Sequence, residues 1–434
     1  MEHEKTKKKK ISKKRRTNAM LYPIYKAFSW DLLCFYSVEF LFYTITKGLS
    51  ASQALMVTSF YIMLKMICQI PAVAISDYLG KRKSIILGNV LLIIHIITLM
   101  LAPDFKWIIF SNVFCALGYD LKAITEGNLL YDSVATRGGD GIYTQIDSKG
   151  ATGYYIVDTI LAIIAGYLFV INNYLPFCIC LIFLIISLIL SFGLKEIYIT
   201  PTRKESFSKF IKGYSSDIID SFKFIKKSKR IRAYIIFAAV FYSLIKIINT
   251  YKSDLLTDIG VSAEQFSMIY AILSLIAAFS ASQSRKIQKY FRNKTLTVIS
   301  LSYLTSIIFI ASIALKITNN IALPFILIFF IVLRVCDSQW YVTQYTYLKN
   351  FTTQKSRNKI SFTYELIVGF VASIVSLIGA AILDTLNVRH AMLLVGLLFL
   401  AIMIVVLDYM RSRIGLKPKE YTNNDLEFKI SKEK

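Results

Sequence analysis

The chain has 434 residues, 55% of them hydrophobic, and a mean hydropathy of +0.54, more apolar than a soluble domain. The formal charge of +24 does not point to nucleic acid, because the lysines and arginines lie in short loops and tails between apolar runs, where they set membrane topology. Repeated apolar runs of about 20 residues, enough to cross a hydrocarbon layer roughly 30 Å thick as a helix, make this an all-α polytopic membrane protein.

In chain order, a lysine-rich tail comes first, with nine Lys or Arg before residue 19. It is no cleavable signal, because the apolar run behind it is too long and no small-residue cleavage site follows. Twelve transmembrane helices are expected. Six occupy about 22–46, 53–75, 84–101, 106–131, 150–170 and 174–194. Six more occupy about 233–252, 263–283, 295–315, 321–348, 361–383 and 390–410. Between the sixth and seventh lies the longest connection, 195–232. Its Phe207, Phe210, Ile211, Tyr214, Ile218, Ile219, Phe222 and Ile225 recur at helical spacing, which predicts an amphipathic helix on the membrane surface. The organisation is therefore a basic tail (1–21), an amino-terminal six-helix half (22–194), a central loop (195–232), a carboxyl-terminal six-helix half (233–410) and a second tail (411–434).

An even number of spans puts both termini on one side, and charge says which. The loop after the second span carries Lys81, Arg82 and Lys83. The loop after the eighth carries Arg285, Lys286, Lys289, Arg292 and Lys294. Single charges such as Lys47, Lys106, Lys316 and Arg389 mark the other side. Both termini are expected in the cytoplasm, and the Ile, Lys and Asn content suggests a bacterial plasma membrane.

The six cysteines fall inside predicted spans and read as small apolar residues. The three histidines, His3, His95 and His390, form no cluster. No metal site, cofactor or catalytic constellation is expected, and no phosphate-binding loop of the G-x-x-x-x-G-K-[ST] type occurs. The halves look like a repeat: Ala165-Gly166-Tyr167-Leu168 and Gly379-Ala380-Ala381-Ile382 end the fifth and eleventh spans at an offset near 214.

Between the second and third spans stands Ser76-Asp77-Tyr78-Leu79-Gly80-Lys81-Arg82-Lys83-Ser84. Here the chain resembles the major facilitator superfamily, whose signature loop at this place reads roughly Gly-x-x-x-Asp-x-x-Gly-Arg-Lys/Arg. Asp77, Gly80, Lys81, Arg82 and Lys83 fall in register. Val73 stands where the first glycine would be, and the second-half copy is degenerate near Lys289. The resemblance implies two six-span halves and a gating role for Asp77, Gly80, Lys81 and Arg82. In that role Asp77 caps the amino end of the eleventh span. The Leu129-Leu130-Tyr131-Asp132-Ser133 ending of the fourth span looks like a bacterial subset. The arginine that the family's antiporters carry in the fourth span is absent.

Eleven charged residues lie within spans: Asp31, Glu39, Lys65, Asp120, Lys122, Glu126, Asp158, Lys246, Arg334, Asp337 and Glu365. Each costs on the order of 2.5–3.5 kcal/mol in the membrane, so most are expected to face a cavity or each other. Lys122 and Glu126 are four apart and can pair, whereas Asp120 projects elsewhere. In the family, spans one, four, seven and ten line a central cavity, which singles out Asp31, Glu39, Asp120, Lys246, Arg334 and Asp337 as a solute and proton pathway. Asp31 is the expected proton carrier. The expected function is secondary active transport of a small solute by alternating access, as a monomer in the lipid bilayer. A proton is the expected coupling ion, in an exporting antiporter or an uptake symporter, and no nucleic acid is involved. A non-transporting sensor or scaffold on the same fold is the alternative.

Overall fold

Helices start and stop where the sequence supplies caps and breakers. The computed structural model describes residues 2–134, 140–197, 222–223, 225–226, 228–291, 294–317, 320–350 and 357–414. The chain opens with α1 (Glu2–Ser29), a short α2 (Glu39–Leu41) that runs into a π-helical turn (Phe42–Thr46), α3 (Ala51–Leu79), α4 (Lys81–Leu101), α5 (Phe105–Val134), α6 (Asp140–Ile171) and α7 (Leu175–Gly193). It continues with α8 (Lys229–Asp258), α9 (Ala263–Ser282), the short α10 (Ser284–Phe291), α11 (Thr295–Lys316), α12 (Leu323–Asn350), α13 (Arg357–Thr385) and α14 (Val388–Ile414). No strand occurs among the described residues. Most of the amphipathic helix expected in the central loop lies outside them.

Among the described residues eleven helices are long and apolar enough to cross a membrane: α3 to α9 and α11 to α14. They match the second to twelfth expected spans. The first differs. Instead of one helix over 22–46, the chain leaves α1 at Ser29 and regains helical structure only at Glu39. The break contains Cys34 at φ +66, a left-handed conformation that costs a non-glycine residue on the order of 1–3 kcal/mol. Non-helical backbone at membrane depth survives only where its polar groups are satisfied. Here the Leu32 amide donates to Asp31 Oδ1 (2.9 Å) and Tyr119 Oη (3.1 Å), and the Val38 amide to the Phe35 carbonyl (3.1 Å).

Side-chain caps fix other ends. The Asp104 carboxylate accepts from the Trp107 amide at 3.0 Å and starts α5; Ser228 does the same for α8 through the Ile231 amide at 3.4 Å. Gly260, at φ +82, ends α8 in the left-handed conformation that stops a helix. Cations close two carboxyl ends, as the helix dipole favours. Lys47 Nζ donates to the carbonyls of Met100 and Ala102, each at 2.8 Å, beyond α4. Arg389 donates to the Ala314 carbonyl of α11 at 3.0 Å and to Asp258 at 2.6 Å.

The chain divides into two compact units. The first comprises Met1–Leu49, Phe60–Phe210 and Ala263–Ala271; the second comprises Ser50–Ser59, Ile211–Ser262 and Ile272–Lys434. In the first, α1 packs on α5, α6 and α7, and α4 on α5 and α7. The α4–α5 seam is close because Gly88 and Gly118 face each other: a Cβ on Gly88 would sit 2.9 Å from the Gly118 carbonyl oxygen. Ala72, Leu91 and Leu121 fill the space beside it. In the second unit α8 packs on α13 and α14, and α11 on α12 and α14. An aromatic core joins Phe237, Phe241, Tyr303 and Trp340 at centroid distances of 5.4–5.8 Å. Large apolar side chains such as Ile182, Ile189, Phe279 and Val405 remain exposed, as a lipid-facing surface requires.

Candidate functional site

The broken first segment builds a polar cavity inside the first unit. Its volume is about 370 Å³, within the size range of small-molecule pockets. Charged residues in its wall are Lys26, Asp31, Lys65, Lys122, Glu126 and Asp147; the tyrosines are Tyr22, Tyr36, Tyr61, Tyr119 and Tyr143.

Asp31 sits just past the end of α1, and one of its oxygens is crowded. Oδ1 accepts from the Leu32 amide (2.9 Å), the Tyr36 hydroxyl (2.8 Å) and the Tyr119 hydroxyl. Lys122, on α5, donates to the Ser29 carbonyl at the end of α1 and pairs with Glu126 at 3.7 Å. It thus places a cation where the helix dipole and the free carbonyls want one. Glu126 also accepts from Tyr25 at 2.6 Å. Tyr25 in turn accepts from Asn89 of α4 at 3.1 Å, and Asn89 accepts from Ser187 of α7 at 3.1 Å. One chain of hydrogen bonds therefore ties four helices behind the cavity. Lys26 pairs with Asp147 of α6 at 2.6 Å and lies 4.6 Å from the Trp30 ring centroid. The lysine beside an aromatic face adds a cation–π contact.

The second unit has its own polar cluster. Asp337, on α12, is buried, with the charges of Lys252, Arg334 and Lys246 acting on it. Lys246 Nζ lies 5.2 Å from the Tyr242 ring centroid. Lys252 donates to Asn249 at 3.3 Å, and Arg334 Nε to the Leu273 carbonyl at 3.4 Å. The Tyr303 hydroxyl of α11 stands beside the Asp337 carboxylate.

The signature loop forms a third site, at the end of the first unit where α3 turns into α4. Gly80 makes the turn at φ +83, which a side chain rarely adopts. The Glu196 carboxylate accepts from the backbone amides of Lys81 (3.2 Å) and Arg82 (2.7 Å). It thereby satisfies two of the four orphan donors at the start of α4 and meets its positive dipole end. The Lys81 side chain pairs with Asp132 of α5, and Arg82 donates to the Phe192 carbonyl of α7 at 2.9 Å. Asn18 of α1 bridges to the Lys195 carbonyl (2.8 Å), the Lys195 amide (2.7 Å) and Ser133 (3.0 Å).

Of the residues singled out from sequence, Asp31 lines the cavity of the first unit. Asp120 is buried on the far side of α5, where its charge reaches Cys68 of α3. Glu39 starts α2 and accepts from Tyr43 at 3.2 Å. Lys246, Arg334 and Asp337 come together in the second unit. Gly80, Lys81 and Arg82 make the turn, while Asp77 is exposed. The sequence did not single out Lys26, Asp147, Lys252, Glu196 or the tyrosines on Asp31. Among the described residues no group of His, Cys, Asp and Glu could hold a metal ion.

The model of the Major Facilitator Superfamily matches residues 27–374. None of the curated proteins matches the sequence. Among solved structures, the nucleoside transporter NupG superposes with a TM-score of 0.67 at 12% identity, over 92% of this chain and 98% of that one. A POT family transporter in complex with 5-aminolevulinic acid gives 0.67 at 15% identity, over 91% and 96%. A bacterial homolog of the human lysosomal transporter Spinster, inward-facing and unoccupied, gives 0.65 at 14%, over 92% and 96%. At such identities the likeness is one of fold, and the family model adds the lineage: this multi-pass membrane transporter belongs to the Major Facilitator Superfamily.

Proposed function

We infer that the chain moves a small solute across the plasma membrane by alternating access, as a monomer with both termini in the cytoplasm, and that a proton accompanies the solute. The observation that carries this reading is the charge-lined cavity among the helices of the first unit. Six ionisable side chains gathered there are expensive in a bilayer and mark a solute path. A scaffold has no use for such a cavity.

Asp337 is proposed for the proton role beside Asp31. Asp337 is buried and is balanced by the nearby charges of Lys252, Arg334 and Lys246, on α8 and α12. Movement between those helices changes the balance and lets the acid load or release a proton. The test uses proteoliposomes with a pH-sensitive dye trapped inside, challenged with amino acids, nucleosides, sugars and organic ions. The wild type moves protons when its solute is added. Asp337→Asn abolishes that signal yet still exchanges labelled solute for unlabelled. Proton movement in the variant equal to wild type removes Asp337 from the role, and no response of the wild type to any class removes the coupled-transport reading.

A further inference from the structure

We propose that the cavity of the first unit takes a small zwitterion, with its ammonium on Asp31 and its carboxylate on Lys65; the proposal rests on the transporter reading above. Six charged side chains face the cavity, three of each sign. Four of them answer one another: Lys26 pairs with Asp147 at 2.6 Å, and Lys122 with Glu126 at 3.7 Å. Asp31 and Lys65 remain without an ion pair among the described residues, the charge of Lys122 reaching Asp31 only at longer range.

The remaining anion is prepared for a ligand. Oδ1 of Asp31 holds its three donors, whereas Oδ2 has no hydrogen bond among the described residues. The three donors fix the carboxylate in the cavity wall. The remaining cation, Lys65 on α3, is exposed to that cavity and has no hydrogen bond or ion pair among the described residues. Asp31 and Lys65 do not pair with each other. Tyr61, one helical turn before Lys65, lines the wall with Tyr36 and Tyr119. Their rings and hydroxyls suit a short body carrying a charge at each end.

The signs favour a ligand that carries both charges. An organic cation would satisfy Asp31 and face the ammonium of Lys65 uncompensated; an organic anion would do the reverse. A neutral solute answers neither. The volume of about 370 Å³ limits the ligand to the size of an amino acid or a short peptide.

The experiment is a binding screen on the purified full-length protein by thermal shift. It uses four matched sets: the proteinogenic amino acids and their dipeptides, the corresponding amines, the corresponding carboxylates, and neutral amides. Stabilisation confined to the zwitterion set is expected. Lys65→Gln then weakens the best zwitterion about 10–100-fold, the scale of a lost charged hydrogen bond, and Lys65→Arg restores it. Asp31→Asn weakens the same ligand by a similar factor and narrows the gap to its carboxylate analogue. Stabilisation confined to amines, carboxylates or neutral amides overturns the proposal, as does unchanged zwitterion affinity in Lys65→Gln. Counterflow in proteoliposomes separates the two readings. A mono-charged or neutral solute that is transported sinks the zwitterion and leaves the transporter standing; movement of no set sinks the transporter reading itself.

Discussion

Replacing Glu196 with Ala removes the cap of α4 and so tests how the signature loop is held. The carboxylate accepts two backbone amides, at 3.2 and 2.7 Å, in the first turn of the helix. Loss of such a cap costs about 0.5–2 kcal/mol, and loss of a carboxylate at the positive end of the dipole a further 0.3–1 kcal/mol or so. Together the loss is roughly 1–3 kcal/mol. A unit of this size loses about 2–4 °C of melting temperature per kcal/mol, so the first unit is expected to melt about 2–12 °C lower. Glu196→Gln keeps an acceptor but not the charge and falls in between. Asp132→Asn, which removes only the partner of a one-third exposed Lys81 side chain, costs about 1 kcal/mol or less. The assay is thermal unfolding of the purified protein followed by tryptophan fluorescence, with amide hydrogen exchange as a second measurement. Exchange is expected to quicken at 81–84 in Glu196→Ala, where the freed amides lie. Wild-type melting together with unchanged exchange in that turn refutes the capping argument.

Gly88→Val is expected to lower the melting temperature and yield by overpacking the α4–α5 seam. The added Cβ meets the Gly118 carbonyl oxygen at 2.9 Å and Lys122 Cγ at 2.8 Å, an insult worth about 1–3 kcal/mol; unchanged melting contradicts the close approach. Cysteines introduced at Tyr78 and Asp104, both exposed, are expected to react with an impermeant maleimide from opposite sides of intact cells, Asp104→Cys from outside and Tyr78→Cys only after permeabilisation. Labelling of Tyr78→Cys from outside inverts the topology. Ser52 and Ser84 are unsuitable for this purpose, because both are buried and Ser52 donates to Asp384. Asp77→Asn is expected to lower transport with little change in yield, since Asp77 is exposed and no hydrogen bond or ion pair holds it among the described residues. Wild-type transport in that variant reduces the loop to a topology signal.

The hydropathy of the chain made eleven of the twelve spans legible, because a run such as 84–101 has no other use than to cross lipid. The interruption in the first span was not legible. Trp30 to Val38 contains neither glycine nor proline and six of its nine residues are aliphatic or aromatic; Asp31 and its tertiary partner Tyr119 hold the break, and partners are invisible to a local pattern. Charges deep within spans stood out because they are costly there, which is how Asp31, Lys122, Glu126 and Asp337 were found. Lys26 and Lys252 lie near span ends, where charge is ordinary. The tyrosines on Asp31 are two among 27 in the chain. Glu196 stands 115 residues from the amide it caps, at the mouth of a loop full of charge. The second-unit cluster was half legible: the polar stripe on α12 was visible, but its neighbour Tyr303 on α11 was not.

The break in the first segment also bears on how the protein is made. Among the helices long and apolar enough to cross the membrane, the first segment has no place, although it leaves the ribosome before the rest. What holds it comes later. Tyr119 and Lys122, which bind Asp31 and the Ser29 carbonyl, belong to α5, and Asp147, which binds Lys26, belongs to α6. Some ninety to a hundred and twenty residues of further synthesis separate the segment from these partners. The polar lining of the cavity is therefore complete only when α5 and α6 arrive beside the segment.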